Sequence, residues 1–593
     1  MLSNTSFDWN SILESNEWNN IAANDLNELL KSNSVASQAA INQFYSKNPD
    51  LFVKLFNEIS FSYSTIINAL ESTNISFFKS LVNDPKFKSF VMSHLSDKDA
   101  LLRLLTIIMV DQSLLNQVIE WLGKDQFNQL VKNNPNTQLT DLLTCYFLAE
   151  NTVGINSWSN PSNKATDEDV ETMYLTISDR LQSNYNLIDL KSLMFLSSMG
   201  AVKELMSNNF KQFDLLFKSL VSCKKYNDLN VLFKIVSNLI LIPKPRSDQD
   251  IKMIQMKLMS LGVDQDVAFD PNVIQHDEAH EVIVNRILQL NTKYDIVSYF
   301  IAIYDLFIHK SDKTSMIYHH FVESITHLTT PVPSRRKLVA NGLLKLLMTL
   351  KQQSTTIDNS SVLLLYNIAR LLTNTNPIGI ASNMDELSKF IPMMFDLTHP
   401  ANEYDHQLQG IMALTNLCCT GDAIILDKIH KTPSIKFTTW LKSFMTHDVI
   451  ELRRVGMELF TNMIQCESFQ ALYMNESTCP FDDVKLVWLF AFEEDDKYLQ
   501  YAALGALAYL TFVEHIKTFI LQQRPKIKDE LMEMLDFNYE MDQSILAVVA
   551  IMGNLVEEMG DALKMDLVRH VQTTEYNGNA QEAALQVEEM LSN

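Results

Sequence analysis

One short sequence pattern recurs through the second half of the chain and constrains its fold more than any other feature. The pattern is a pentad of the form apolar-apolar-small or polar-Asn-apolar. Its copies begin at Ser324, Leu364, Ala413, Leu459, Leu507 and Ile551. The first copy has His327 and the fifth has Leu510 at the position where the others have asparagine. The fourth positions (327, 367, 416, 462, 510 and 554) are 40, 49, 46, 48 and 44 residues apart.

A period of this length that is filled with helix is typical of armadillo and HEAT repeats. Apolar residues recur at three- and four-residue spacing along most of the chain, and glycine is scarce, at 13 of 593 residues. One such unit cannot bury its own apolar faces, so neighbouring units must stack on one another. The sequence therefore predicts an all-α, armadillo/HEAT-like superhelix with a concave groove.

We expect two regions in this array. Residues 1–200 form an N-terminal and central helical arm, and residues 201–593 form a domain of armadillo-like repeats. The tryptophans Trp440 and Trp488, which lie 48 residues apart on the shorter helices that precede two of the pentads, are expected in the core.

Charge and cysteine content limit the partners and the compartment. The net charge of −23 argues against nucleic acid and anionic membranes as partners, and it suits a basic protein surface. We find no signal peptide and no apolar stretch long enough to span a membrane. The six cysteines show no disulfide pattern, so we expect reduced thiols in the cytoplasm. Oligomeric state cannot be read from this sequence.

Catalytic chemistry has little support. The most closely spaced glycines, Gly553 and Gly560, are too far apart for a nucleotide-binding loop. His276 and His280 could share a helix face and bind zinc, but Asp277 stands where the general-base glutamate of a metalloprotease belongs. We therefore predict a binding protein that is not an enzyme and needs neither cofactor nor metal.

The repeated asparagine has two interpretations. A side-chain amide can donate and accept at once, so a row of them on a groove wall could hold the backbone of an extended client. Alternatively, each amide could satisfy backbone groups at a helix end between repeats. The client-binding interpretation makes groove residues of Asn367, Asn416, Asn462 and Asn554.

Two basic clusters stand out in this acidic chain, and each is either a binding patch or ordinary solvated surface. Arg453 and Arg454 precede Asn462 by about two turns and are assigned to the client-binding groove. Arg335, Arg336 and Lys337, at the start of a predicted helix, form a secondary basic patch.

A set of short segments, in fixed order, also carries a family resemblance. The segments are His327–Pro331, Arg335–Lys337, Gly342, Asn376–Pro377, Ala413–Leu417, Leu452–Arg454, Asn462, Val484–Lys485, Glu493–Asp495 and Ala503–Ala508. They resemble the UCS-domain chaperones of myosin, in the fungal form that lacks a tetratricopeptide domain. One departure is the loop after Pro377, where the family's usual Ala-Phe-Pro-Gly-Gln-type run is missing.

The resemblance implies a myosin-directed chaperone and assembly factor whose UCS domain, here residues 201–593, grips the motor domain. Such a protein supports motor folding and the actin cytoskeleton, often together with heat-shock protein 90. The family's groove residues carry over onto Asn416 and Asn462, and also onto Asn367, Arg453 and Arg454.

An importin-α-like cargo adaptor is the alternative, since that class also uses a row of groove asparagines. It pairs each asparagine with a tryptophan four residues earlier, where this chain has Leu363, Met412 and Glu458. It also needs a basic N-terminal segment, whereas this chain begins with an acidic, asparagine-rich one.

Overall fold

The computed structural model of the chain consists, in its described part, of helices and the turns between them. The described stretches are 22–32, 48–58, 85–93, 167–183, 186–208, 226–242, 279–310, 316–353, 359–380, 383–432, 436–492, 496–524, 526–537 and 542–559, with isolated positions elsewhere. No strand occurs among these residues. None of their helices combines the length and the apolar character that a membrane span requires. His276, of the possible zinc pair, lies outside the described residues.

The chain divides into two compact units, Met1–Ser334 and Arg335–Asn593, which we describe separately. The described helices of the first unit are α1 (Ala23–Ser32), α2 (Pro49–Glu58), α3 (Pro85–Ser93), α4 (Asp167–Ser183), α5 (Leu187–Leu196), α6 (Gly200–Asn208), α7 (Tyr226–Ile240), α8 (His280–Lys293), α9 (Ile296–Leu306) and α10 (Met316–Leu328). In this unit α5 packs against both α4 and α7. The boundary near residue 200 between arm and UCS domain stays a prediction.

Helices of the second unit come in sets of three, which we name repeats A to E. Repeat A has α11 (Arg335–Ala340), α12 (Leu343–Gln353) and α13 (Asn359–Thr373), and repeat B has α14 (Met384–Ser388), α15 (Phe390–Leu397) and α16 (Tyr404–Cys418). Repeat C has α17 (Ala423–His430), α18 (Phe437–Met445) and α19 (Ile450–Met463). Repeat D has α20 (Glu467–Met474), α21 (Phe481–Ala491) and α22 (Lys497–Leu510), and repeat E has α23 (Glu514–Gln523), α24 (Ile527–Phe537) and α25 (Asp542–Met559).

Equivalent helices of neighbouring repeats pack side by side. The third helices form one continuous row, in which α13, α16, α19, α22 and α25 each contact the next. Within a repeat, the second helix packs on the third. The apolar side of α19 shows the result, because Leu452, Leu459 and Met463 are all fully buried between these neighbours. Burial of each such side chain contributes about 1.5–3 kcal/mol, so the repeats are stable only as a stack.

Glycine sets how closely the second and third helices approach. A Cβ added at Gly456 of α19 would lie 3.0 Å from the backbone nitrogen of Met445, at the end of α18. A Cβ at Gly410 of α16 would lie 3.1 Å from the carbonyl oxygen of Met394 in α15. These two glycines are 46 residues apart and occupy the same place in successive repeats. The helix pairs therefore meet at a distance that no other residue allows without a shift of the backbone.

The Gly456→Ala variant should be less stable than the wild type by about 1–3 kcal/mol, because its methyl group meets backbone atoms that cannot rotate away. Gly553 of α25 is the matched control, since nothing lies within 4 Å of an added Cβ there. The Gly553→Ala variant should gain about 0.5–1 kcal/mol from the higher helix propensity of alanine. Urea unfolding followed by circular dichroism would compare the two variants. A Gly456→Ala midpoint at or above that of the wild type would contradict the close approach.

Candidate protein-binding surface

The repeated asparagines lie near the C-terminal ends of the third helices and face the neighbouring repeat. Asn416 of α16 donates its Nδ2 hydrogens to the carbonyl oxygens of Leu372 (2.6 Å) and Thr375 (3.0 Å), where α13 ends. Asn554 of α25 donates to the carbonyl oxygen of Ala508 (3.0 Å) and the hydroxyl of Thr511 (2.8 Å), where α22 ends. Each asparagine therefore reaches back to the end of the preceding third helix.

The contact between an asparagine amide and the end of the preceding helix recurs at two further places, once with longer distances and once in the first unit. Nδ2 of Asn462 in α19 lies 3.4 Å from the carbonyl oxygen of Thr415 and 3.6 Å from Sγ of Cys419, at the end of α16. In the first unit, Asn238 of α7 donates to the carbonyl oxygen of Met194 (3.1 Å), near the end of α5. Carbonyls near a helix end have room for further donors: the oxygen of Leu372 also accepts from the N–H of Thr375 (3.4 Å), that of Ala508 from the hydroxyl of Thr511 (3.1 Å), and the amide of the next helix adds a donor to each. These bonds match the second interpretation, in which the amide joins repeats.

Asn367 differs from the other pentad asparagines. Its side chain is fully buried in α13, and its Nδ2 donates to the carbonyl oxygen of Leu363, one turn earlier in the same helix. A side chain with no exposed surface cannot contact a client. Asn367 is thus removed from the groove residues, whereas Asn416, Asn462 and Asn554 are half-buried and keep part of their side chains at the surface.

Arg454 connects repeats C and D. Its Nε lies 2.6 Å from Oδ2 of Asp496, and its guanidinium lies 5.4 Å from the ring centroid of Tyr498. Asp496 is buried and caps α22, because its Oδ1 accepts the backbone N–H groups of Tyr498 (3.1 Å) and Leu499 (3.0 Å). Arg454 therefore holds the start of the next third helix. The neighbouring Arg453 is half-buried, and its Nε is buried without a hydrogen-bond partner among the described residues.

The second basic cluster lies at the end of α13. Arg335 is buried, and its Nη1 is 3.4 Å from the carbonyl oxygen of Arg370. Burial, and secondarily the charge of Arg370, lower the pKa of Arg335 to about 10. The exposed Arg336 donates from Nε to the carbonyl oxygen of Asn374 (3.2 Å). Arg335 and Arg336 thus complement the negative C-terminal end of α13. Within the cluster, Arg336 and Lys337 are exposed.

Aromatic and acidic side chains occupy the exposed side of the third-helix row in repeats C and D. Tyr498, Tyr509 and Phe512, on α22 and the turn after it, are 64%, 45% and 69% exposed. Glu458 on α19 is exposed as a residue, but partial desolvation of its carboxyl group by the surrounding side chains raises its pKa, although the nearby Arg454 opposes the shift. Burial, followed by the charge of Glu458, likewise raises the pKa of Tyr501 on α22. We call Glu458, Tyr498, Tyr501, Tyr509 and Phe512 the aromatic–acidic strip.

Sequence reasoning missed this strip, although the signal for it was present. Residues 498, 501, 505, 509 and 512 follow the spacing of one helix face, and most of them are aromatic where exposed positions are usually polar. The asparagine pattern is easier to detect because it recurs from repeat to repeat, whereas the strip belongs mainly to repeat D.

The hydrogen bonds predict that the asparagines stabilise the fold in proportion to their geometry. Removing the amide of Asn416 breaks its two hydrogen bonds to the carbonyl oxygens of Leu372 and Thr375, which should cost about 1–3 kcal/mol. Asn554→Ala should resemble Asn416→Ala, whereas Asn462→Ala should cost less because its contacts of 3.4 and 3.6 Å are long. Urea unfolding of the three variants would establish the order. Equal stability of Asn416→Ala and the wild type would contradict the role of the amide between repeats.

Comparison with known proteins agrees with this architecture. No protein-family model matches the chain. The sequence is 27% identical over 184 residues to protein unc-45 homolog B of Danio rerio, and 22% identical over 330 residues to unc-45 homolog B of Xenopus tropicalis. These matches cover 31% and 55% of this chain but 18% and 33% of the relatives, so the chain spans a third or less of the curated relatives that it matches.

Solved structures share the fold at low sequence identity. She4p superimposes with a TM-score of 0.64 and 14% identity, over 98% of this chain and 81% of that one. A structure of the UNC-45 chaperone, reported for its molecular features critical for binding and folding muscle myosin, gives a TM-score of 0.58 and 14% identity, over 94% of this chain and 59% of that one. The myosin chaperone UNC-45 from C. elegans, in complex with an Hsp90 peptide, gives a TM-score of 0.53 and 15% identity, over 94% of this chain and 60% of that one.

These structures confirm the helical-repeat fold that the sequence predicts. The sequence matches add a second line of support, because they point to the same proteins as the structural similarity. Together they show that this chain is similar to UNC-45 in sequence and to UNC-45 and She4p in fold.

Proposed function

We propose that this chain is a myosin-directed chaperone and assembly factor that binds the myosin motor domain and so supports the actin cytoskeleton. The observation that carries the proposal is the agreement between sequence and structure, since both lead to UNC-45, and one of its structures is described as that of a chaperone for muscle myosin. The match extends over 94% of this chain, and thus over the repeats that carry the candidate surface.

The aromatic–acidic strip supports the proposal chemically. Exposed aromatic rings can cover the apolar segments of a partly folded client, and carboxylates such as Glu458 suit basic segments. The half-buried Asn416 and Asn462 lie on the neighbouring helices of the same row, where their amide oxygens can accept from a client backbone. Binding of this kind needs no nucleotide, so we propose a chaperone that acts without ATP hydrolysis and is not an enzyme.

The test uses heat-induced aggregation of a purified myosin motor fragment. Wild-type protein should reduce light scattering at equimolar concentration, and the double variant Tyr509→Ala/Phe512→Ala should need severalfold more protein for the same protection. Each ring removed from an interface costs about 1–2 kcal/mol of binding. ATP added to the chaperone alone should release no phosphate.

The matched control is the double variant Ile424→Ala/Met474→Ala. These side chains are 52% and 51% exposed, but they belong to the first helices α17 and α20 and not to the third-helix row. Protection by this variant should equal that of the wild type. If both double variants lose protection equally, the strip is not the binding surface; if the wild type at severalfold excess leaves aggregation unchanged, the chaperone proposal fails.

We also propose heat-shock protein 90 as a partner, because the C. elegans relative was solved with a peptide of it. The acidic C-terminal peptide of heat-shock protein 90 is usually held by a basic tetratricopeptide clamp, for which this sequence shows no 34-residue repeat. Binding should therefore survive deletion of that peptide. Isothermal titration with full-length and truncated partner would measure this, and loss of binding on truncation would contradict it.

A further inference from the structure

A cleft of about 210 Å³ lies between the second helix of repeat D and the first helix of repeat E. Its lining is Val484, Lys485, Trp488, Leu489, Phe519, Ile520, Gln523 and Arg524. None of these residues belongs to a third helix, so the cleft is separate from the aromatic–acidic strip. Its volume is below the 300–1,000 Å³ of typical small-molecule sites, which favours one anchoring side chain over a whole cofactor.

The floor of the cleft is aromatic and contains a polar group without a partner. Trp488 is 4% exposed, so it is the buried member of the two tryptophans that the sequence places in the core. Its indole Nε1 is buried and has no hydrogen-bond partner among the described residues. Trp440, at the equivalent place in repeat C, is only half-buried, and the centroid of its ring lies 4.8 Å from that of Phe395. A buried N–H group without an acceptor is costly, and an oxygen from a ligand would satisfy it after a shift of the indole that opens Nε1 to the cleft.

Two cationic side chains lie over the aromatic rings that line the cleft. The guanidinium of Arg524 lies 5.5 Å from the ring centroid of Trp488, and the Nζ of Lys485 lies 5.6 Å from that of Phe519. Glu530 lies 3.4 Å from one edge of Arg524, and Asp482 lies 3.8 Å from the Nζ of Lys485, so each cation has one carboxylate partner in the fold. The aromatic rings hold both cations beside the apolar floor. In a chain of net charge −23, the remaining N–H donors of these two cations can pair with the carboxylates of an acidic segment.

From this geometry we propose that the cleft binds a short acidic peptide segment of another protein, with one bulky apolar side chain as its anchor. The apolar side chain lies on Trp488 and Ile520, a carboxylate or carbonyl oxygen accepts from Nε1 of Trp488, and flanking carboxylates pair with Lys485 and Arg524. Charge complementarity selects an acidic segment over a basic one. This site goes beyond the client surface, and its test does not involve myosin.

The probe is a fluorescein-labelled peptide, acetyl-Asp-Asp-Leu-Phe-Asp-Asp-amide, and its binding to the full chain is measured by fluorescence anisotropy. Two comparison peptides replace the four aspartates by lysine, or the Leu-Phe pair by Ser-Gly. The acidic apolar peptide should bind at least tenfold more tightly than either comparison peptide. Its affinity should also fall between 50 and 500 mM salt, as expected for a charged rim.

Variants assign the binding to the cleft. Trp488→Phe keeps an aromatic floor but removes the indole N–H group, and Lys485→Gln/Arg524→Gln removes the charges; each should weaken binding about tenfold, the cost expected for a hydrogen bond to a charged group. The matched controls, Trp440→Phe and Lys526→Gln, alter the equivalent tryptophan of repeat C and an exposed lysine outside the lining. They should bind like the wild type.

Circular dichroism melting shows whether each variant is folded. The proposal is overturned if the charge-reversed peptide binds as well as the acidic one. It is also overturned if folded Trp488→Phe and Lys485→Gln/Arg524→Gln variants bind like the wild type, or if no peptide binds at millimolar concentration. None of these outcomes depends on protection of a myosin motor, so the two proposals can fail independently.

Discussion

The carbonyl groups at the ends of the third helices, which accept donors from the neighbouring repeat, are the constraint on which the stack of repeats depends. A helix that ends against protein cannot leave its last carbonyls to water, so a neighbour must supply donors. Asn416 and Asn554 do so with amide N–H groups at distances of 2.6–3.0 Å. Arg335 and Arg336 serve the end of α13 with guanidinium groups. Apolar burial drives the repeats together, and these polar contacts fix the register at which they meet.

This constraint changes how the conspicuous residues of the sequence are interpreted. If the repeats bind a peptide in a groove, asparagine and arginine are the first residues expected to contact it. Much of their hydrogen-bonding capacity is used inside the fold, as with Arg454 and the buried cap Asp496. What the third-helix row exposes is less conspicuous in sequence, namely aromatic rings such as those of Tyr509 and Phe512. The same row therefore both holds the stack together and presents the candidate surface.

The sequence predicted the helical-repeat fold because the period near 46 residues and the helical spacing of apolar residues are properties of the chain alone. It could not decide what the amide of Asn416 contacts, because an amide suits a client backbone and a helix end equally well. It did not separate Trp440 from Trp488, since exposure depends on whether the next repeat covers the ring. Asn367 matched the pattern but is buried in its own helix. The sequence therefore identifies the periodic residues, but their hydrogen-bond partners and their exposure follow only from the three-dimensional structure.

The leucine at position 510, where the other pentads of this unit carry asparagine, has a consequence for the junction between repeats C and D. Leu510 has no polar side chain, so α22 cannot reach back with an amide. Instead Thr461 of α19 reaches forward to the carbonyl oxygen of Ala502 (2.8 Å), and Arg454 reaches forward to Asp496. One of these two links is an ion pair between a partly exposed arginine and the buried Asp496, so salt screens it less than it screens a fully exposed pair. Within the third-helix row, an ion pair and a hydroxyl therefore have at this junction the role that amides have between repeats A and B and between repeats D and E.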